Sequence, residues 1–231
     1  MAFGTFDALT FDCYGTLIDW ETGIRNGLRV ALDAHGVVAP DDELLERFAA
    51  TEAALEAGPY RRYRDILAAC LSEVGRGYGL QPSAAEQDAF GASVADWPAF
   101  ADSAAALASL GRRFRLGVLT NCDDDLFAAS NGRLGVRFDW VITAQQARGY
   151  KPRIANFELA FERIGLPRDR ILHVAQSLFH DHVPAKALGM TTVWIDRRNG
   201  LAGSGATPPA TAAPDAVFPD MASFAVAAIG D

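Results

Sequence analysis

Four short stretches of this 231-residue chain hold the residue types that do covalent or acid–base chemistry. They are Phe11-Asp12-Cys13-Tyr14-Gly15-Thr16-Leu17, Thr120-Asn121, Lys151-Pro152 and Gln176-Ser177-Leu178-Phe179-His180-Asp181. With a reference pKa of about 3.9, Asp12 is ionised at neutral pH and can serve as nucleophile or base. Arginine supplies nearly all the positive charge. Lysine occurs only as Lys151 and Lys186, so Lys151 stands out. Each position also has a plain structural reading: Asp12 or Asp181 as a helix cap, Thr120-Asn121 as capping residues, Lys151 as half of a surface ion pair.

The surrounding pattern says what positions them. Residues 6–11 (FDALTF) form a short apolar run that stops at Asp12 and a glycine turn, as a buried parallel strand does. From about 19 to 95 the period is helical: Ile24, Leu28, Ala31 and Leu32, then Leu44, Leu45, Phe48 and Ala49. Helices are also expected over Tyr63–Val74 and 84–94. Strand–helix alternation then returns, with strands at Arg115–Thr120, Trp140–Thr143, 171–174 and Thr191–Ile195 and helices at 123–131, 156–164 and 183–188. Gly200–Pro214, rich in small residues and proline, reads as a flexible loop and nothing more. The expectation is an α/β, Rossmann-like parallel sheet core of residues 1–18 and 97–231, interrupted by a helical cap of residues 19–96. Ligands bind such sheets at the carboxyl ends of the strands, where all four stretches fall.

DxYGTL followed by TN, KP and SLxxD, in that order and at strand ends, resembles the haloacid dehalogenase superfamily of hydrolases. The resemblance runs the length of the chain. Most of that superfamily are phosphatases with a second aspartate two residues after the nucleophile and another five before the last one. Here those positions are Tyr14 and Gln176. Mg²⁺ prefers carboxylate oxygens, and a neutral amide replaces one poorly. The 2-haloacid dehalogenase branch lacks both aspartates and shares the DxYGTL wording. A halide leaving group needs no proton, which suits that loss.

The resemblance implies an Asp12 ester that water hydrolyses to a 2-hydroxy acid, with no metal and no cofactor. It implies that Lys151 pairs with Asp12, and that Asp181 positions Lys151 and the hydrolytic water. Thr120 and the first-turn amides of Cys13 and Tyr14 would bind the substrate carboxylate, and Asn121 the departing halide. The cap is expected to offer the halide an arginine: Arg47 first, with Arg61, Arg62 and Arg64 as rivals. The chain departs from the branch at Phe157, where a tyrosine is usual, and at Leu178, where an asparagine holds water; Ser177 or His180 are candidates to replace the latter. A Mg²⁺-dependent phosphatase and a catalytically idle binding protein are the alternatives.

A formal net charge of -8 argues against nucleic acid or an anionic membrane as partner. Cys13, Cys70 and Cys122 lack zinc or disulfide spacing and read as packing. His180 and His182 tempt a metal reading but lack a third ligand. No signal peptide or membrane span is legible, so a cytoplasmic setting is expected; the resemblance implies a small carboxylate substrate and a homodimer.

Overall fold

The computed structural model describes residues 1–200 and 205–230. Strand β1 (Ala8–Phe11) has no exposed residue, as expected of a parallel strand covered on both faces. It lies at the centre of a six-stranded sheet of order β3-β2-β1-β4-β5-β6, with every pairing parallel. The other strands are β2 (Arg115–Thr120), β3 (Trp140–Thr143), β4 (Ile171–Ala175), β5 (Thr191–Ile195) and β6 (Ala216–Phe218). Phe11 is level with Val118 and Val174, so the polar residues after β1, β2 and β4 emerge along one edge.

After β1 the chain first forms α1 (Trp20–Ala34), α2 (Asp41–Glu56), α3 (Tyr63–Arg76) and α4 (Ala84–Ala92), followed by a 3₁₀ turn at Ser93–Asp96. Their starts carry local signals. The Asp19 side chain accepts from the Thr22 amide, and Ser83 and Glu86 form a capping box. In α1, Ile24, Leu28, Ala31 and Leu32 are buried at the spacing of one helix face. A β-carbon on Gly23 would lie 2.2 Å from the Trp97 ring, so only glycine lets α1 approach so closely. The outgoing and returning chains run side by side, with the Asp19 amide donating to Pro98 at 2.8 Å and Phe100 to Leu17 at 3.1 Å.

The remaining helices are α5 (Ser103–Leu110), α6 (Asp124–Leu134), α7 (Ala144–Ala147), α8 (Ile154–Ile164), α9 (Val183–Ala187) and α10 (Met221–Gly230); a π-helical turn spans Leu178–His182. Sequence reasoning left α5, α7, α10 and β6 unassigned; they are short or alanine-rich and show little periodicity. Of the expected loop, residues 201–204 lie outside the described residues. Ala206 and Thr207 are buried, with the Ala206 amide on Glu21 at 3.0 Å and the Thr207 hydroxyl on Gln176 at 3.3 Å. That stretch is therefore packed against α1 and the site's edge. Among the described residues no helix is long and apolar enough to cross a membrane.

Candidate active site

Asp12 is the first residue past β1, its amide still bonded to the Val174 carbonyl at 3.1 Å. Its Oδ1 accepts from Lys151 Nζ at 2.8 Å and its Oδ2 from the Thr16 hydroxyl at 2.8 Å. Thr16 accepts in turn from the Gln176 amide at 2.9 Å, tying the first turn to the end of β4. The turn needs Gly15, whose φ is +91° and whose β-carbon would meet Gln176 and Trp20 at 3.0 Å. Lys151 uses all three of its hydrogens: on Asp12, on Asp181 Oδ1 at 2.7 Å and on the Leu119 carbonyl at 2.9 Å.

All three charged groups are buried, with Lys151 only 1% exposed. Burial pushes the Asp12 carboxyl up, with Lys151 opposing it. Burial would also raise Asp181, but Lys151 and His173 together pull it below its usual value. Burial alone would lower Lys151, and the two aspartates reverse that and raise it. An ammonium between two carboxylates is the balanced arrangement a buried charge requires. The Asn121 amide joins the same edge, accepting from the Lys151 amide at 2.7 Å and donating to the Lys151 carbonyl at 3.1 Å.

The opposite wall comes from α1, α2 and α3. One small cavity is lined by Asp12, Lys151 and Asp181 on the sheet side and by Trp20, Glu52, Glu56 and Tyr63 on the helical side. Glu52 accepts from the Tyr63 hydroxyl at 2.7 Å and Glu56 from Asn121 Nδ2 at 3.3 Å. Burial pushes Glu52 up to about 8, so it is protonated at neutral pH, and pushes Glu56 well above its ordinary value. His180 Nε2 stands 4.0 Å from Glu56. Ser177 Oγ accepts from the His180 amide at 2.9 Å and bonds the ring Nδ1 at 3.1 Å, which leaves Nε2 turned to the cavity. Burial lowers the His180 ring to about 4, so it is neutral. The free volume is about 20 Å³, room for roughly one water.

Of the residues the sequence singles out, Asp12, Tyr14, Asn121, Lys151, Ser177, His180 and Asp181 line this cavity. Tyr14 does so with its ring, because its hydroxyl bonds Ser130 at 3.0 Å. Thr120 is fully buried beside the site, its hydroxyl oxygen without a partner. Arg47 does not reach the cavity. It is 46% exposed, pairs with Glu43 at 2.9 Å and lies over the Tyr78 ring. The physical reason is helical phase: the buried stripe of α2 runs through Leu45, Phe48, Ala49, Glu52 and Glu56, and Arg47 falls off it. Arg61 and Arg62 do not line the cavity, and Arg64 turns to Asp125. Sequence reasoning passed over Glu52, Glu56 and Tyr63. It also passed over Asp123, whose two oxygens accept from the Tyr63 and Arg64 amides at 3.0 and 3.2 Å and so cap α3 from the core.

The donor set does not suit Mg²⁺. The Lys151 ammonium stands where a cation bridging Asp12 and Asp181 would sit, Gln176 adds no charge, and the described residues form no metal-binding group of acids, histidines or cysteines.

The sequence matches the family of haloacid dehalogenase-like hydrolases over residues 6–187. The chain belongs to that family. Among curated relatives of this hydrolase, haloacid dehalogenase-like hydrolase domain-containing protein 3 of Danio rerio is 32% identical over 109 residues, 46% of this chain and 44% of the relative. The (S)-2-haloacid dehalogenase of Pseudomonas putida is 30% identical over 105 residues, 44% of this chain and 45% of that one. The matched segments span less than half the length of either relative. The L-2-haloacid dehalogenase of Xanthobacter autotrophicus has the same fold, with a TM-score of 0.82 and 20% identity over 97% of this chain and 99% of that one.

Proposed function

We propose that this hydrolase cleaves carbon–halogen bonds of small 2-haloacids without a metal, through an ester on Asp12. The observation that carries the reading is Lys151 Nζ held between Asp12 and Asp181, 2.8 and 2.7 Å away. It balances the nucleophile's charge, and Tyr14 stands two residues after Asp12, where an aspartate would protonate an alcohol leaving group. The Asp12 carboxylate attacks the halogen-bearing carbon; a carbon–oxygen bond forms and the halide leaves with the bonding pair. Water then adds to Cγ of Asp12, and the ester opens to a 2-hydroxy acid. Without an arginine in the cavity, neutral donors receive the halide and the substrate carboxylate: His180 Nε2, and Asn121 Nδ2 once it turns from Glu56. With room for about one water, α2 and α3 must move off the sheet edge to admit substrate, and their return excludes bulk water. The division into a core of residues 1–18 and 97–231 and a cap of residues 19–96, a homodimer and a cytoplasmic setting belong to the same proposal.

The test pairs halide release from 2-chloropropionate with phosphate release from p-nitrophenyl phosphate plus Mg²⁺, each with and without EDTA. Halide release insensitive to EDTA is expected; activity lost to EDTA and restored by Mg²⁺ would overturn the reading. In a single turnover in ¹⁸O-water, label should enter Asp12 before product, and a chiral substrate should invert at C2. The acidic helical wall favours a second reading, in which the substrate's polar end is an uncharged hydrogen-bonding group. A higher kcat/KM for 2-chloropropionamide than for 2-chloropropionate would select it.

A further inference from the structure

Strand β4 carries a histidine within an otherwise apolar buried run, ILHVA. His173 has no exposed surface. Its Nε2 lies 2.9 Å from Asp181 Oδ1 and its Nδ1 lies 2.9 Å from the Thr10 hydroxyl, level with it on β1. Phe157 on α8 packs against its ring, with centroids 5.5 Å apart and planes at 73°. Phe157 has no hydroxyl to offer this pocket, so the donor comes from His173. A carboxylate only accepts, so Nε2 carries the hydrogen, and Nδ1 shares a hydrogen bond with the Thr10 hydroxyl.

The result is an asymmetric carboxylate. Asp181 Oδ1 accepts from both Lys151 and His173, at 2.7 and 2.9 Å. Asp181 Oδ2 is sealed from solvent and has no partner, although Asp181 lines the cavity. A buried acceptor left unmet is costly, on the order of 1–3 kcal/mol, so it calls for a ligand atom. We infer that His173 is a positioning residue for the second half of the reaction: it holds Asp181 Oδ1, leaving Oδ2 as the base for the water that hydrolyses the Asp12 ester. This rests on the ester mechanism proposed above. Water adds to Cγ of Asp12 and gives its proton to Asp181 Oδ2. The bond from Cγ to the substrate's oxygen then breaks and that oxygen takes the proton. The product is an alcohol, and Asp12, left with water's second proton as a carboxylic acid, becomes a carboxylate again when that proton passes to solvent. The first half, attack on carbon, makes no use of Oδ2.

The two halves are therefore expected to respond differently. With 2-chloropropionate in a single turnover, His173→Phe should release halide within about threefold of the unmodified rate while slowing product formation roughly 10- to 100-fold, part of what a positioned base contributes. An adduct on Asp12 should persist in the intact mass spectrum. His173→Gln, which retains a donor and is the milder change if the phenylalanine variant folds poorly, should restore part of the second step. Halide and product slowed equally, or neither slowed, would overturn the inference. A second measurement needs no substrate: the ¹³C titration of the Asp181 carboxyl, assigned with Asp181→Asn. Loss of the His173 hydrogen bond should move its midpoint up by about one pH unit; an unmoved midpoint overturns the positioning role. If the unmodified enzyme releases no halide, the dehalogenase reading fails by itself and this titration still decides the role of His173.

Discussion

On the sheet side of the cavity, charge is answered by charge: Lys151 lies between Asp12 and Asp181, with every ammonium hydrogen placed. On the helical side, Glu52 bonds the Tyr63 hydroxyl and Glu56 bonds Asn121, with the neutral His180 4.0 Å from Glu56. Burial acts on both walls, with opposite outcomes. Where a cation bonds the carboxylate directly, Asp181 is held below its usual value; where none does, burial pushes Glu52 up to about 8 and Glu56 well above its ordinary value. The same residue chemistry thus yields an ionic wall, which the proposed function makes the catalytic one, and a facing wall without a directly bonded cation, which that function gives to the substrate.

The strongest way to break the contrast is Lys151→Met. It strands two carboxylates in one buried site and should cost about 3–5 kcal/mol, read from urea unfolding at pH 7, with activity at background. A loss below roughly 1 kcal/mol would mean the wall is not ionic.

Next is Glu52→Gln. The folded protein holds the Glu52 proton up to about 8, whereas the unfolded chain loses it near 4.5. Stability from this group is complete below the unfolded value and declines as pH rises through that window. The glutamine variant should therefore gain on the unmodified protein between pH 5 and pH 9, by a few kcal/mol. In the unmodified enzyme, KM for an anionic substrate should climb above about pH 8 as the wall ionises, and Glu52→Gln should flatten that climb. Asp181, with its depressed value, sets the opposite limb, losing stability only as pH falls into the acid range. Equal alkaline sensitivity in both proteins would refute the assignment.

Asp123→Ala sharpens the comparison at the seam between the walls. It removes the cap on α3, with an expected loss of about 0.5–2 kcal/mol and an effect on turnover, since α3 carries Tyr63. An unchanged unfolding midpoint would show that the cap is idle. Arg47→Ala should do least: an exposed i,i+4 pair with Glu43 is worth about 0.3–0.5 kcal/mol, and halide release should be unaltered. A large loss of activity would bring Arg47 back into the cavity.

The sheet wall was legible because its grammar is local. A buried parallel strand is an apolar run that ends where polarity begins, so Asp12, Asn121 and the Gln176–Asp181 stretch could be placed at strand ends without knowing their partners. The helical wall was not. In α2 the apolar stripe through Leu45, Phe48 and Ala49 continues in phase into Glu52 and Glu56, and acids in such positions look like the end of the buried face. Only the pocket makes them inward, and the assumption that an anion site requires arginine pointed to Arg47 instead. His173 did leave a trace, a lone titratable residue inside ILHVA. Its meaning depended on Thr10 and Asp181, which sheet register and the turn after β4 bring to it.

The central place of β1 also governs how the chain can fold. Ala8 pairs on one side with Arg115 and on the other with Ile171, so the strand that leads to Asp12 has no neighbour close in sequence. During synthesis it emerges before the helices and both of its partners, an apolar segment with two open edges. Such distant pairings make for slow folding, and exposed strand edges invite wrong partners. Until β4 is available to close the second edge, Asp12 stays apart from Asp181, so the buried cluster of Asp12, Lys151 and Asp181 assembles only when most of the sheet is already in place.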